Sequence, residues 1–407
     1  FYSMQKNILH LDLDTFFVSC ERLIDSRLQK KPLLVGGTGD RGVVAACSYE
    51  TRRFGVHSGM SMKIAKRLCP EAITIRGNTS TYSKYSNIVT EIIKEKVPIF
   101  EKASIDEFYA DLTGMDAFFG SYKYASELRQ RIIKESGLPI SFGMSQNKMV
   151  SKVATGEAKP NNQLLINVGF EKSFLAPLSI RKIPSVGNKT YQILRNLGVD
   201  KVKVIQEMPL EMMISVLGAN GKTIWKRANG IDNPPIIAFH ERKSLSTERT
   251  YNKDTIDMVK LKATLFAMAE NLAYQLRKGD KLTGSLSVKI RYSDFNTYSK
   301  QIKIPYTSAD HIIIPTILEL FKKLYQRRLL IRLVGVKVSD IVSGNYQINL
   351  FDDTEQMLDL YNAMDTVRNK YGELSIMRAS AMGAKSIGRF SNPFNGEPPL
   401  VLAHRKQ

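Results

Sequence analysis

Two adjacent carboxylates, Asp106 and Glu107, stand inside an apolar run that otherwise has the pattern of a buried β-strand. The run, EKASIDEFYADLTG, covers residues 101–114, and its apolar positions include Phe108 and Tyr109. An ionised carboxylate is costly to remove from water unless it is paired or bound to a metal ion. The fold must therefore bring other charged groups to these two acids.

A second acidic strand lies at the N-terminus, where residues 7–13 (NILHLDL) predict a strand followed by a helix through about residue 24. Asp12 and Asp14 share one strand face if the strand continues, because side chains alternate. If it stops at Leu13, Asp14 instead becomes the N-cap of a helix that begins at Thr15. The stretch DTFF favours this second arrangement, which leaves Asp12 without a local structural role.

Three carboxylates on neighbouring strands, Asp12, Asp106 and Glu107, would form a hard oxygen site suited to Mg²⁺. Two such ions about 3.5–4 Å apart can clamp the attacking and leaving oxygens of a phosphoryl transfer. The alternative is that these acids simply pair with nearby lysine or arginine side chains.

Side chains that would bind a triphosphate are also present. The stretch SYETRRFGVHSGM supplies Tyr49, Arg52 and Arg53, and EAKPNN supplies Lys159. Arginine can hold phosphate oxygens bidentately, whereas lysine acts as a point charge. Taken one at a time, each of these cations fits a solvated surface charge better than a ligand contact.

The charge balance points to an acidic polymer as partner. Among 407 residues, 59 are Lys or Arg and 39 are Asp or Glu, a net charge of +20. Residues 241–345 carry 19 basic and 10 acidic side chains, whereas residues 346–407 carry 7 of each. Nucleic acid fits this excess better than a membrane surface does, because no amphipathic anchor stands out. The alternative is a merely soluble basic protein.

The cysteines and the hydropathy pattern narrow the class further. The 3 cysteines show no CxxC spacing, and the 5 histidines are scattered, so neither a disulfide framework nor a structural zinc site is expected. No apolar run approaches the length of a membrane span, and no signal peptide is visible. These features predict a globular protein of the reducing cytoplasm, without a membrane partner.

The N-terminal half reads as an α+β sheet with helices on one face. We predict a strand at 103–112, a helix at 79–96 with Thr79 and Ser80 as cap candidates, and a further helix and strand at 121–136 and 139–145. The Gly-rich, basic insert at 30–78 predicts a small separate lobe, and 183–230 predicts mostly short helices.

The C-terminal half has a clearer pattern. Strand 243–251, helix 255–278, strands 283–292 and 298–306, helix 309–327 and strand 331–341 follow one another. This β-α-β-β-α-β order is the ferredoxin-like unit. The last 60 residues or so look less compact.

Taken together, these motifs resemble a known family. The stretches LDLDTFFVSCERL, SYETRRFGV, ASIDEFYADLTG, SFGMSQNKMVSKVATGEAKP and IPSVGNKTYQILRNLGV occur in the order and spacing of Y-family, translesion DNA polymerases. The resemblance covers roughly residues 7–345 and is to bacterial members of the polymerase IV and UmuC-like kinds. The segment after residue 345 looks closer to UmuC-like proteins of Gram-positive bacteria.

The resemblance implies an α+β multidomain, right-hand polymerase that acts in DNA repair and the SOS response. It implies a ferredoxin-like palm, small fingers, a helix-hairpin-helix thumb and a β-α-β-β-α-β little finger. The implied ranges are palm 4–28 and 79–170, fingers 29–78, thumb 171–240, little finger 241–345 and a tail at 346–407.

The resemblance also assigns roles to single residues. Asp12, Asp106 and Glu107 match the acids that bind two Mg²⁺ ions, with the backbone carbonyl of Leu13 as a further ligand. Asp106 and Glu107 are then the catalytic carboxylates, and Asp14 matches no ligand position. The nucleotide-binding positions are the steric-gate aromatic and three triphosphate contacts: Phe17, Tyr49, Arg52 and Lys159.

Two implied partner sites lie outside the palm. Ser185 and Gly187 match the helix-hairpin-helix turn that contacts DNA, although Ser185 stands where the family often carries glycine. A serine can serve there if its φ is negative. The stretch QINLF, residues 347–351, resembles the motif by which bacterial polymerases dock on the sliding clamp. Its anchors would be Gln347, Leu350 and Phe351; alternatively, this apolar stretch folds back onto the little finger.

The sequence therefore predicts a monomeric, Mg²⁺-dependent DNA polymerase that takes primer-template DNA and dNTP. One rival is a Y-family relative that has lost catalysis and acts as a DNA-bound scaffold, and the presence of all three acids argues against it. The other rival is a nucleotidyl cyclase with a similar palm, which the basic segment 241–345 disfavours.

Overall fold

The computed structural model describes residues 6–39, 41–115, 120–344, 355–372 and 375–384. These residues belong to two compact units, one ending at His240 and the other beginning at Glu241. Both units combine helices with mainly antiparallel sheets, so the predicted α+β class is confirmed.

The first unit is built on a five-stranded sheet with the order β5-β6-β1-β7-β8 and carries a smaller sheet with the order β3-β2-β4. Strand β1 is central, antiparallel to both β6 and β7, and almost wholly buried. The strands are β1 (Ile8–Leu13), β2 (Leu33–Gly36), β3 (Val44–Cys47), β4 (Ile73–Ile75), β5 (Ile99–Lys102), β6 (Glu107–Asp111), β7 (Ile140–Ser145) and β8 (Gln163–Leu165).

Helices cover this unit on both sides of the large sheet and continue beyond it as a series of short segments, as predicted for 183–230. They are α1 (Phe16–Ile24), α2 (Tyr49–Arg52), α3 (Met62–Leu68), α4 (Thr79–Lys96), α5 (Ser121–Ser136), α6 (Lys148–Ala158), α7 (Glu171–Leu175), α8 (Asn188–Asn196), α9 (Val202–Glu207), α10 (Leu210–Leu217) and α11 (Ala219–Ala228). Short 3₁₀ turns occupy Ser26–Leu28 and Ile180–Lys182.

The two faces of β1 have different partners because its side chains alternate. Leu9, Leu11 and Leu13 enter the main core with apolar residues of α4 and α5. His10 and Asp12 lie on the other face, where α6 packs. The predicted arrangement with all helices on one face is therefore wrong, because α6 covers the polar face.

Gly143 explains how α6 comes so close to the sheet. It lies opposite His10 in the β1–β7 register. A Cβ atom at Gly143 would stand 2.3 Å from the carbonyl oxygen of Ser151 and 2.4 Å from the nitrogen of Thr155. Only glycine permits this approach, which brings Lys152 of α6, and Lys159 just after it, to the acids of the sheet.

The small sheet has a core of its own and is also joined to the main core, so the separate lobe predicted for 30–78 stays a prediction. Leu33 and Val35 of β2 belong to the main core, whereas Leu34 between them packs in a second cluster with Met62. The period-2 alternation of β2 thus ties the segment to both cores.

Helix α4 begins where predicted, but its cap is Asn78 and not Thr79 or Ser80. The Asn78 side chain accepts hydrogen bonds from the backbone N–H of Ser80 at 3.1 Å and of Thr81 at 3.4 Å. Asparagine is among the strongest N-cap residues, so it takes the position immediately before the two candidates.

The second unit confirms the predicted β-α-β-β-α-β order. Its sheet has the order β11-β10-β12-β9. Helices α12 and α13 share an apolar core with one face of this sheet, and β11 is exposed along most of its length. The elements are β9 (Ser244–Thr255), α12 (Met258–Lys278), β10 (Lys281–Tyr292), β11 (Thr297–Thr307), α13 (Asp310–Leu324) and β12 (Ile331–Ser343).

The segment after β12 is more compact than predicted. Helix α14 (Glu355–Tyr371) and a 3₁₀ segment, Ala379–Ala384, belong to the second unit. Tyr361 and Met364 of α14 are buried. Arg368 is 3% exposed and forms an ion pair with Glu270 of α12 at 2.7 Å. The packing of α14 was not predicted from the sequence, because an ion pair contributes to it as much as the apolar contacts do.

No helix in the described part of the chain is long and apolar enough to cross a membrane.

Candidate active site

The three predicted acids come together at one end of the large sheet. Asp12 of β1 lies directly opposite Glu107 of β6 in the antiparallel register. The N–H of Leu13 donates a 3.0 Å hydrogen bond to the carbonyl of Asp106, which fixes the next position as well. This pairing places Asp12 and Glu107 side by side on neighbouring strands, whereas the grouping of all three acids as one metal site stays a prediction.

The strand predicted at 103–112 is in fact a hairpin, in which β5 ends at Lys102 and β6 begins at Glu107. The Ser104 hydroxyl accepts hydrogen bonds from the N–H groups of Asp106 and Glu107, at 3.3 and 3.0 Å, and donates to Asp106 Oδ1 at 2.5 Å. A serine that bonds the backbone in this way favours a turn over a continued strand. Asp106 therefore lies in the turn.

Two lysines of the α6 region contact the acids. Lys152 Nζ lies 2.5 Å from Glu107 Oε2, and Lys159 Nζ lies 2.6 Å from Asp12 Oδ1. The alternative of pairing with lysine is thus realised for these two carboxylates, whereas Asp106 bonds Ser104. Sequence reasoning missed Lys152, which lies on α6 seven residues before Lys159, the residue that follows the helix.

His10 stands behind Glu107 and was also missed. It is 1% exposed, its Nδ1 is 2.8 Å from Thr155 Oγ1, and its Nε2 is 4.0 Å from Glu107 Oε2. Burial lowers the pKa of His10 to about 4, against the opposing influence of Glu107. The signal in the sequence is its position two residues before Asp12, on the same strand face.

The carboxylates differ strongly in proton affinity. Burial raises the pKa of Asp12 to about 7, against the opposing charge of Lys159. Burial likewise raises the pKa of Asp106. Burial also opposes ionisation of Glu107, but the interactions with His10 and Lys152 outweigh it and lower that pKa to about 2. Burial thus disfavours the charged forms of Asp12 and Asp106.

The donor set suits a hard cation, although within the described ranges no three acid, histidine or cysteine side chains already converge as a metal cluster. The available atoms are carboxylate oxygens on two strands, and burial disfavours the charged form of Asp12 and Asp106. A divalent cation would relieve that penalty, and Mg²⁺ prefers such oxygen ligands.

Tyr49 and Lys159 both reach the same buried acid, Asp14. The Tyr49 hydroxyl lies 3.5 Å from Asp14 Oδ1, and Lys159 Nζ lies 3.6 Å from the same atom. Arg52 is exposed, and its guanidinium carbon lies 5.1 Å from the centre of the Tyr49 ring. The structure thus brings Tyr49 and Lys159 to Asp14, and it places Arg52 beside Tyr49.

The prediction that Asp14 caps the first helix is wrong. Helix α1 begins at Phe16, and Thr15 precedes it in the left-handed region with φ of 43°. The Asp14 side chain instead accepts hydrogen bonds from Ser141 Oγ at 2.8 Å and from the N–H of Asn161 at 2.6 Å. The Asp14 side chain is therefore bonded by donors from distant parts of the chain and not by the unpaired N–H groups at the start of α1.

Phe17 lies on α1 and is half-buried. Its ring stacks on Tyr82 with 4.3 Å between ring centres and 14° between planes. The Tyr82 hydroxyl donates to Glu21 Oε1 at 2.5 Å, which holds the ring beneath Phe17 in place. One face of Phe17 is therefore supported by protein.

A serine was expected to replace glycine in the helix-hairpin-helix turn only with a negative φ, but the φ of Ser185 is +78°. Its side chain is exposed, and its hydroxyl accepts a 2.6 Å hydrogen bond from Arg227 Nη1. Gly187 precedes α8 with φ of −82°, and a Cβ there would meet nothing within 4 Å. The turn thus carries strain at Ser185 and open space at Gly187.

The clamp-binding prediction, Gln347, Leu350 and Phe351, lies outside the described residues.

Comparison with known proteins agrees with these motifs. A family model described as the impB/mucB/samB family matches residues 11–156, and the model of that family's C-terminal domain matches residues 242–350. The first match contains all three acids, and the second contains the whole β-α-β-β-α-β unit.

Several curated relatives carry the name DNA polymerase IV. One from Dehalococcoides mccartyi is 38% identical over 386 residues, which cover 94% of this chain and 99% of the relative. One from Treponema denticola is 33% identical over 94% of this chain and 95% of its own length. One from Streptococcus pyogenes is 34% identical over 85% of this chain and 96% of its own length.

A solved structure of a Y-family DNA polymerase chimera has the same fold. It superposes with a TM-score of 0.73 at 26% identity and covers 83% of this chain and 100% of its own. The assignment to the UmuC-like subgroup stays a prediction. The chain belongs to the Y family of translesion DNA polymerases and is a DNA-directed DNA polymerase.

Proposed function

We propose that Asp12, Asp106, Glu107 and the carbonyl of Leu13 hold two Mg²⁺ ions for nucleotide addition. Polymerases of this family are metal-dependent, and the carboxylates offer the oxygen donors that Mg²⁺ prefers. The observation that carries the proposal is the register that sets Asp12 opposite Glu107, with the Asp106 turn bonded to Leu13.

When bound, the ions supply charge neutralisation for displacement at the α-phosphorus of a dNTP by the primer 3′-hydroxyl. The protein's part is to orient ligands and to balance charge. Ser104 fixes the Asp106 carboxylate, and Lys152 holds Glu107. Catalysis then depends on positioning and electrostatics, with no protein nucleophile.

Tyr49, Arg52 and Lys159 are the proposed triphosphate contacts, and Phe17 is the proposed steric gate. The proposal is supported by the approach of Tyr49 and Lys159 to one shared acid and by the exposure of Arg52. The stacking of Phe17 on Tyr82 gives the gate a fixed surface against which a 2′-hydroxyl would collide.

The domain assignment follows the family: palm 4–28 and 79–170, fingers 29–78, thumb 171–240 and little finger 241–345. The thumb turn at Ser185 and Gly187 would contact primer-template DNA, and the exposed side of the little-finger sheet would bind phosphates without sequence preference. Open space at Gly187 leaves room for a phosphate group.

Calorimetric titration of Mg²⁺ into the complex with primer-template and a non-hydrolysable dNTP analogue tests the metal assignment. Two ions should bind to the wild-type protein, and Asp12→Ala should lose at least one. Asp111→Ala is the matched control, because Asp111 lies at the far end of β6. Equal Mg²⁺ binding by the wild type and Asp12→Ala would overturn the assignment.

We further propose that the protein acts as a monomer and docks on the bacterial sliding clamp through Gln347, Leu350 and Phe351. Tethering raises the effective concentration at the primer end. Replacing Leu350 and Phe351 by Ala should leave clamp-free extension unchanged and remove stimulation by the loaded clamp. Full stimulation of the double variant would instead favour a stretch folded onto the little finger.

A further inference from the structure

Asp14 is a buried carboxylate that collects polar contacts from three separate parts of the first unit. It is 1% exposed. Its Oδ2 accepts hydrogen bonds from Ser141 Oγ at 2.8 Å and from the Asn161 N–H at 2.6 Å. Its Oδ1 lies 3.5 Å from the Tyr49 hydroxyl and 3.6 Å from Lys159 Nζ. Each carboxylate oxygen therefore faces two donors.

The backbone of Asp14 is fixed as firmly as its side chain. Its N–H donates to the carbonyl of Pro139 at 2.9 Å, and its carbonyl accepts from Ser19 Oγ at 2.7 Å. A carboxylate held on every side has little freedom to turn toward another ligand. Its geometry suits a fixed anchor for the residues that point at it.

The loop that Asp14 anchors carries Lys159. Asn161, two residues beyond Lys159, has φ of 47°. It is held on its other side by Arg129, which donates to its backbone carbonyl and to its Oδ1, each at 2.6 Å. Arg129 in turn is fixed by the carbonyl of Ile140 at 2.9 Å. The loop is thus fastened between Asp14 and Arg129.

We propose that Asp14 is a positioning residue for the nucleotide site, one that sets Lys159 and Tyr49 to face the triphosphate. This inference rests on the proposed triphosphate contacts. Lys159 lies closer to Asp12, at 2.6 Å, than to Asp14. When a phosphate oxygen replaces Asp12 as the close partner of the Lys159 ammonium group, the longer contact to Asp14 stays in place. That contact keeps the Lys159 side chain oriented.

Asp14→Asn is the sharpest variant, because its amide oxygen can keep both Oδ2 bonds while an NH₂ group replaces the oxygen that faces Lys159. We expect KM for dNTP to rise about tenfold with kcat changed less than threefold, the pattern of lost ground-state binding. Combined with Lys159→Ala, the two effects should be far from multiplicative. The measurement is steady-state primer extension over a dNTP series.

The matched control is Asp310→Asn, the same change at a fully buried aspartate of the second unit that pairs with Arg277 at 2.7 Å. It should lower thermal stability and leave KM for dNTP unchanged. If Lys159→Ala raises KM and Asp14→Asn does not, the positioning role is overturned and the triphosphate contacts stand. If Lys159→Ala also leaves KM unchanged, the proposed triphosphate site itself fails.

Discussion

Asp12 and Glu107 face each other across the β1–β6 pair, yet each has its own lysine: Lys159 for Asp12 and Lys152 for Glu107. Burial raises the pKa of Asp12 to about 7, whereas the neighbours of Glu107 lower its pKa to about 2. The two acids are therefore not equivalent. Lys152 on α6 and Lys159 just after that helix thus act on the two acids separately.

Phe17 should control the choice between ribonucleotides and deoxyribonucleotides. Phe17→Ala removes the ring that is stacked on Tyr82, so the 2′-hydroxyl of a ribonucleotide would no longer collide with it. We expect the preference for dNTP over rNTP to fall at least about tenfold, or about 1.4 kcal/mol. Single-nucleotide extension measures it, and Phe17→Tyr, which keeps the ring, should retain the preference. An unchanged ratio in folded Phe17→Ala would make Phe17 a core aromatic only.

Lys102 should make stability depend on pH. Burial lowers its pKa from 10.5 to about 8 in the folded protein. Between those values the unfolded chain binds more protons, so the free energy of unfolding should rise with pH; below pH 8 the full penalty applies. Lys102→Met should therefore stabilise the protein at pH 7 by about 1–2 kcal/mol and flatten this rise.

Urea unfolding at pH 7 and pH 10 measures the Lys102 effect. Lys96→Met is the control, because Lys96 is exposed at the end of α4. The account is contradicted if Lys102→Met destabilises the protein at pH 7.

Arg368 should be essential to the stability of the second unit. Its removal leaves Glu270, whose side chain is 5% exposed, as a buried charge without that partner. Breaking such a pair typically costs about 3–5 kcal/mol. Arg368→Ala should therefore lower the midpoint of denaturant unfolding markedly, whereas exposed Lys370→Ala on the same helix should change stability by less than about 0.5 kcal/mol. Equal effects would show that α14 contributes no buried ion pair.

DNA affinity should fall steeply with salt. The excess of basic residues in 241–345 predicts a loss of about 10³-fold or more between 50 and 200 mM salt if six or more phosphates are contacted. Lys300→Gln with Lys303→Gln, on exposed β11, should reduce the salt slope by about 2. Lys322→Gln, on α13, should leave it unchanged. Fluorescence anisotropy measures each slope, and a flat response would place the DNA site elsewhere.

Much of the second unit was predictable because its strands and helices have clear periodicities and few competing signals. The need for partners at Asp106 and Glu107 was also predictable, because two ionised acids in an apolar run require opposite charges or a metal ion. The identity of those partners was not predictable. The residues beside Glu107 are Lys152 of α6 and His10 of β1. Their positions within each element could be read from the sequence, but the packing of α6 against β1 could not.

Errors arose where side chains compete with the backbone for hydrogen bonds. Ser104 turns a predicted strand into a hairpin, and Asn78 takes the cap from Thr79. Asp14 has the local sequence of a cap, but donors more than 100 residues away in the chain occupy it instead. Such tertiary partners are invisible to local pattern, and so is an ionic helix contact such as that of Arg368.

Primer extension by Asp106→Ala, measured beside DNA binding by the same protein, tests the central claim most directly. The control is Asp111→Ala, the same change at the far end of β6. Because the acids act on the metal ions and not on the DNA grip, Asp106→Ala should abolish nucleotide addition and bind duplex nearly as the wild type does. Extension within about tenfold of wild type, a barrier change of only about 1.4 kcal/mol, would contradict the account.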